Sequence, residues 1–302
     1  MASIEGHLPA GEALRRLARA QLAQLARELA AAEKGSTAHP SRKRLKFLRS
    51  LLRLIRPAIG EDAFQIANGH LRAAAIRLAV KRQGEAMVEA VAKLRNQTEG
   101  DDALIVELEA AALVHKNAAE QEHAESHAAA RKEIEAVRAL VGGWMLPKRD
   151  RRFFIDGLRR CYARGRKLLL PSLEAGDTQT LHEARKSVIH HLHHLEILEP
   201  AWPRLMKVWC DELGRLREAL GDLNDLAELE GQLADPETAF GKITSIEAAL
   251  ELIATHRLRL TERIRKRAEQ LFAERPGALA RRLDDIWASW EKREAETSAA
   301  AE

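Results

Sequence analysis

Along residues 180–200, TLHEARKSVIHHLHHLEILEP, charged and apolar positions sort at helical spacing. Set at about 100° per residue, His182, Arg185, Lys186, His190 and His193 fall within an arc of roughly 140°. Leu181, Val188, Leu195 and Leu198 fall on the other side. The spacing predicts one helix with a cationic stripe. The pattern occurs twice. A shift of 143 residues (182 − 39) carries His182, Arg185 and Lys186 onto His39, Arg42 and Lys43. Lys46 and Arg53 prolong this earlier stripe, with Leu45, Leu48, Leu52 and Ile55 opposite, and Pro57 stands where Pro200 does. Cations on one face, with no carboxylate among them, repel one another unless an anion lies there. The expectation is two such helices held face to face.

The same periodicity predicts the other elements. Residues 9–33 form an amphipathic helix with Leu14, Leu17, Leu22, Leu25 and Leu29 as its stripe. The first cationic helix runs from His39 to about Arg56 and stops at Pro57. Helices follow over 61–80 and 85–96, with a junction at Lys81–Gly84. Residues 102–141 read as two helices or one bent helix. Val141-Gly142-Gly143-Trp144 with Pro147 marks a boundary near the midpoint, where a duplication would place one. The second half reads as helix 151–170 closed by Pro171, the cationic helix, helix 201–220, a break at Gly221–Asp225, helix 225–234, a basic helix 243–274 and a last helix 277–292. The tail from Glu294 is expected to fray.

Composition agrees with an all-α chain, rich in Leu and Ala with one Tyr in 302 residues. Net charge is only +4, but it is segregated. From Arg42 to Arg95 there are thirteen Lys/Arg against four acids, and from Glu99 to Glu125 eight acids against Lys116 alone. Charge sorted this way points to a localised anion-binding surface. Cys161 and Cys210 have no metal or redox spacing, as in a reduced, cytoplasmic protein. The N-terminus carries no apolar signal core, since Arg15, Arg16 and Arg19 interrupt it, and no apolar run is long enough for a membrane.

Several stretches together resemble the CHAD family, the helical domain named for its histidines. HPSRKRLKFLRSLLRLIRP and ANGHLRAAAIRLAVKR carry the resemblance in the first half. GLRRCYARGRKLL, LHEARKSVIHHLHHLEILEPAWP, LREALGDLNDLAEL and LFAERPGALARRLDDIWASW carry it in the second, over about 35–292 in all. The resemblance implies an all-α fold of two four-helix bundles, related by a pseudo-twofold axis, with a basic groove or channel between them. The halves would be residues 1–145 and 146–302. It also implies non-catalytic binding of inorganic polyphosphate, and leaves targeting to polyphosphate granules, scaffolding of a partner and regulation of polymer metabolism open. The expected ligand-binding residues are His39, Arg42, Lys43, Lys46, Arg49 and Arg53; Arg72, Arg77 and Arg82; Arg159 and Arg166; His182, Arg185, Lys186, His190 and His193; and Arg257 and Arg263. His39, His182, His190 and His193 are expected to gain protons on binding, so that affinity falls above about pH 7. His191 is placed on the apolar side. Where the family carries a basic residue, this chain has Ile189.

Other functions find less support in the residues. A metal site could use His190 with His193 or His194, or His123 with His127, but Arg and Lys beside the first set repel cations. The basic grooves suit RNA phosphates, yet aromatics for base stacking are scarce, and nucleic acid is not the expected partner. No Gly-rich phosphate loop, nucleophile arrangement or metal-binding carboxylate cluster lies beside the stripes, so no catalysis is expected. No cofactor is implied, and a homodimer is left open.

Overall fold

The computed structural model describes residues 3–6, 8–34, 39–78, 80–97, 102–122, 126–148 and 150–301, without the side chains of 80–83, 97, 102, 119–122 and 298–301. The fold is all-α. In chain order the helices are α1 (Ala10–Ala32), α2 (His39–Ile59), α3 (Glu61–Arg77), α4 (Val80–Gln97), α5 (Asp102–Glu122), α6 (His127–Val141), α7 (Arg152–Ala175), α8 (Thr178–Ile197), α9 (Pro203–Ala234), α10 (Ile246–Leu271) and α11 (Pro276–Ala301). Single 3₁₀ turns at Glu199–Ala201 and Phe240–Lys242 flank α9.

Two rings of helices make the body. Helix α1 packs on α2 and α6, and α3 packs on the same two, which closes the first ring. Helices α7, α8, α9 and α10 close the second in the same way. The rings meet where α2 packs on both α7 and α8. Outside the rings, α4 and α5 pair as a hairpin that rests against α9, and α11 lies along α7. The leucine stripes supply the core: Leu14, Leu22, Leu25, Leu45, Leu52 and Ile55 are buried, as are Val188, Leu195 and Leu198. Close approach of α2 and α7 depends on Gly157, where an added Cβ would meet the Leu54 carbonyl oxygen at 2.0 Å.

Several expected boundaries shift, each for a local reason. Helix α7 continues through Pro171 to Ala175 and stops at Gly176, whose φ of 65° is left-handed. Helix α2 likewise passes Pro57 and ends at Ile59. The break expected at Gly221–Asp225 is absent. There α9 is continuous because Gly221 lies under the Arg185 guanidinium and Asp222 pairs with Lys93 of α4 at 2.6 Å. In the first half α3 ends at Arg77, with Leu78 as its cap. Residues 102–141 are two helices. The tail expected to fray from Glu294 instead prolongs α11 to Ala301.

Candidate polyanion-binding surface

Helices α2 and α8 cross at Ser50, and this crossing organises the basic side chains. Ser50 Oγ lies 2.9 Å from Lys46 O, 2.7 Å from His190 Nδ1 and 2.8 Å from His193 Nδ1. A hydroxyl donates once and accepts twice. With its proton given to Lys46 O, it accepts from both Nδ1–H groups, which assigns His190 and His193 as neutral Nδ1–H tautomers. His194 completes the crossing, its Nε2–H donating to Ser50 O at 2.9 Å. Burial holds the pKa of His193 down to about 3 and that of His194 to about 4, and it pushes His190 well below the ordinary imidazole range.

Two of the expected site residues are engaged in this crossing: His193 is buried against Phe47 and Ser50, and the half-buried His190 is bonded to the same hydroxyl. The reason is that α8 has three packing partners, α7, α9 and α2, and from Ser187 onward almost every position meets one of them. The cationic stripe therefore occupies only the first half of α8. His191 is on the apolar side as expected, within an aromatic cage of Tyr162, Trp209 and Phe272.

The remaining cations fall into three groups. The first lies where α2, α3, α7 and α8 converge. Arg53 is partly buried there and its pKa is lowered to about 10, first by burial and then by Arg49, with Arg56 and Arg164 adding to the effect. Arg49 is lowered by burial and by Arg72, and its buried Nε has no hydrogen-bond partner among the described residues. The Glu183 carboxylate enters this group from α8, accepting from Lys186 Nζ at 2.6 Å and Arg164 Nη2 at 3.2 Å. A carboxylate was not expected within the cationic face; Glu183 reaches it because α7 presents Arg164 beside α8.

The second group, on the other flank of the crossing, gathers Lys43 and Lys46 of α2 with Arg217 of α9 near His193, and Glu196 lies among Lys43 and Arg217. The third is a pocket between α7, α8, α9 and α10, lined by His182, Arg185, Asn224 and Arg257. Burial, then Lys186 and Arg185, lower the pKa of His182, while a hydrogen bond with Asn224 opposes them.

Other expected residues have structural partners. Arg42 Nη1 donates to Leu78 O at 3.2 Å and its Nη2 lies 3.7 Å from Glu85, so it ties the end of α3 to the start of α4. Arg166 Nε donates to Phe272 O at 3.0 Å and caps the end of α10. Arg159 pairs with Asp156 at 3.4 Å, and Arg257 with Glu230. His39, Arg77 and Arg263 are exposed at the start of α2, the end of α3 and along α10. The side chain of Arg82 and all of His123 lie outside the described residues.

Sequence reasoning passed over Arg164 and Arg217. For Arg164 a signal was present: Gly157, Cys161 and Arg164 stand at i, i+4 and i+7, a stripe of small residues ending in a cation. Gly157 brings α7 onto α2 and Arg164 then reaches the arginine cluster.

Among the described residues no group of three or more His, Cys, Asp or Glu side chains is placed to hold a metal ion. No described helix is long and apolar enough to cross a membrane. No curated protein matches the chain. The family model of the CHAD domain matches residues 16–234, well over half of the 302 residues. This chain belongs to the CHAD-domain family.

Proposed function

We propose that this chain binds inorganic polyphosphate without catalysis. The surface runs along Arg49, Arg53 and Arg72 of the first half and Arg164 and Lys186 of the second, with Lys43, Lys46 and Arg217 continuing it past the α2–α8 crossing. One observation carries the reading: the strongest charged neighbours of Arg53 are other arginines, not carboxylates. Guanidiniums kept together in partial burial raise the energy of the empty protein, and a polyanion removes that repulsion. Arg forks match adjacent phosphate oxygens, and a linear polymer can touch several groups at once. The CHAD domain is associated with polyphosphate binding in general and is a binding domain, not a known catalytic fold. Polyphosphate is favoured over RNA because the rings nearest these cations, Phe64 beside Arg53 and Phe47 beside His193, are buried and not open to base stacking. The exposed Trp202 lines a separate groove beside α11.

On this reading the protein acts in the cytoplasm and joins polyphosphate granules. The halves 1–145 and 146–302 are related by a pseudo-twofold axis at the α2–α8 crossing. The offset of 143 supports that symmetry twice (193 − 50 and 221 − 78): Ser50 meets His193, and Arg42 meets Leu78 as Arg185 meets Gly221. Binding-linked proton uptake is assigned to His182, whose ring is kept neutral in the empty protein by burial and by Lys186 and Arg185.

Titration with defined-length polyphosphate, single-stranded RNA and free phosphate, at two salt levels, tests the reading. With about five phosphate contacts, affinity for polyphosphate should fall roughly a hundred-fold between 50 and 200 mM salt. Equal affinity for RNA would refute the assignment.

A further inference from the structure

Helix α5 buries one face and leaves a patterned apolar face in solvent. Leu104, Leu108 and Ala112 are buried. The opposite positions Ala103, Val106, Ala110, Leu113 and Asn117 are exposed. Their steps alternate three and four residues, which is the spacing of a coiled-coil seam. Val106 at 55%, Leu113 at 54% and Val114 at 57% are too exposed to belong to the fold's own core. Helix α5 packs on α4 and touches the 3₁₀ turn at Phe240–Lys242, and the seam residues stay exposed outside these contacts.

We propose that the seam pairs with α5 of a second copy of this chain, in antiparallel orientation. The flanking charges choose both the partner and the direction. Glu109 and Lys116 stand seven residues apart on the same flank, immediately before the seam positions Ala110 and Asn117. In an antiparallel pair Glu109 faces Lys116 of the second copy, and Lys116 faces its Glu109, giving two ion pairs. A parallel pair would set Glu109 against Val114 and gain nothing from them. Arg95 holds Glu109 at 2.9 Å beside the seam, and Lys116 has no carboxylate partner among the described residues. The same register sets Leu113 against Ala110 in both directions, large against small, and Val106 against Asn117. A helix of 21 residues is about 30 Å long. One such pair is small beside the roughly 1,200–2,000 Å² of a standard interface. The dimer is therefore weak, forming at micromolar concentration and above. It leaves the basic surface uncovered and does not depend on the polyphosphate reading.

Sedimentation equilibrium of the full chain, from low to high micromolar concentration, tests this. The weight-average mass should rise from the 33.7 kDa monomer toward twice that value. Leu113→Glu changes an exposed position and should keep its helical circular dichroism, yet stay monomeric throughout. Glu109→Lys and Lys116→Glu should each weaken association at least several-fold, and the two together should restore it. A wild-type chain monomeric at every concentration would overturn the proposal. So would a Leu113→Glu protein that dimerises as well as wild type, or a charge swap no better than its single changes.

Discussion

The Ser50 hydroxyl lies 2.8 Å from Nδ1 of His193, and the two residues stand 143 positions apart (193 − 50), the offset that superimposes HEARK on HPSRK. The contact therefore joins positions that the sequence offset pairs, at the crossing of α2 and α8. Ser50 also serves His190 and Lys46, so its hydroxyl satisfies three groups. Ser50→Ala leaves two ring N–H groups without their acceptor. It should cost about 1–3 kcal/mol, read as a lower midpoint in urea unfolding. An unchanged midpoint would mean that the crossing is held by apolar packing alone.

The buried imidazoles set the pH dependence of stability. Burial lowers the pKa of His191 and His193 to about 3 and of His194 to about 4, below the unfolded value near 6.5. The unfolded chain therefore binds more protons, and stability rises with pH. The contribution is fully present above about pH 7 and is lost as pH falls through 6.5 toward the folded values. Each histidine held neutral costs up to about 1.4 kcal/mol per pH unit in that window. Urea midpoints should drop steeply between about pH 7.5 and 5.5; a flat profile would show that these rings accept protons in the folded state.

Arg53 connects repulsion to binding. Replacing it by Gln removes one cation from the centre of the arginine group and keeps a polar side chain there. Polyphosphate affinity should fall by about ten-fold, and the slope of log affinity against log salt should become shallower by about one. Isothermal titration at two salt concentrations reads both. Affinity equal to wild type would place the ligand elsewhere.

Glu183 occupies the surface that the polymer would use. Its carboxylate binds Lys186 and Arg164 in the empty protein, and those contacts hold its own pKa below the usual carboxylate range. A bound phosphate competes with it for the same two cations. Glu183→Gln should tighten polyphosphate binding by roughly three- to ten-fold with little change in thermal midpoint, since half-exposed ion pairs contribute little. Weaker binding in this variant would mean that Glu183 positions the cations rather than competing for them.

Gly157 is the point of closest approach between α7 and α2. Gly157→Ala puts a methyl within 2.0 Å of the Leu54 carbonyl oxygen, and backbone cannot yield as a side chain can. The helices must separate, at a cost of about 1–3 kcal/mol. Differential scanning calorimetry should show a lower midpoint, and binding should weaken because Arg53 and Arg164 lie on the separated elements. A midpoint equal to wild type would show that α7 can shift without loss.

The repeat of HPSRK and HEARK was legible because a helix writes its faces into the order of its residues. The stripes of α2, the buried leucines and the all-α class all followed from a period near 3.6. His193 shows the limit of that logic. A helical wheel gives the direction of a side chain, not what lies in that direction, and α2 lies against His193 where a groove was expected. Arg42 and Arg185 show the same limit, since they hold equivalent places in the repeat. Arg42 meets a carbonyl freed at the end of α3, and Arg185 lies on an unbroken α9.

The sequence by itself determined the helices, their apolar faces, the internal repeat and the segregation of charge, because local propensity and charge are properties of residues in order. Only the tertiary structure decided which cations share one surface. That depends on which helices cross, how closely Gly157 lets them approach, and whether a carboxylate such as Glu183 arrives from the neighbouring turn. Electrostatic energy depends on distance through space, and a linear chain does not state those distances.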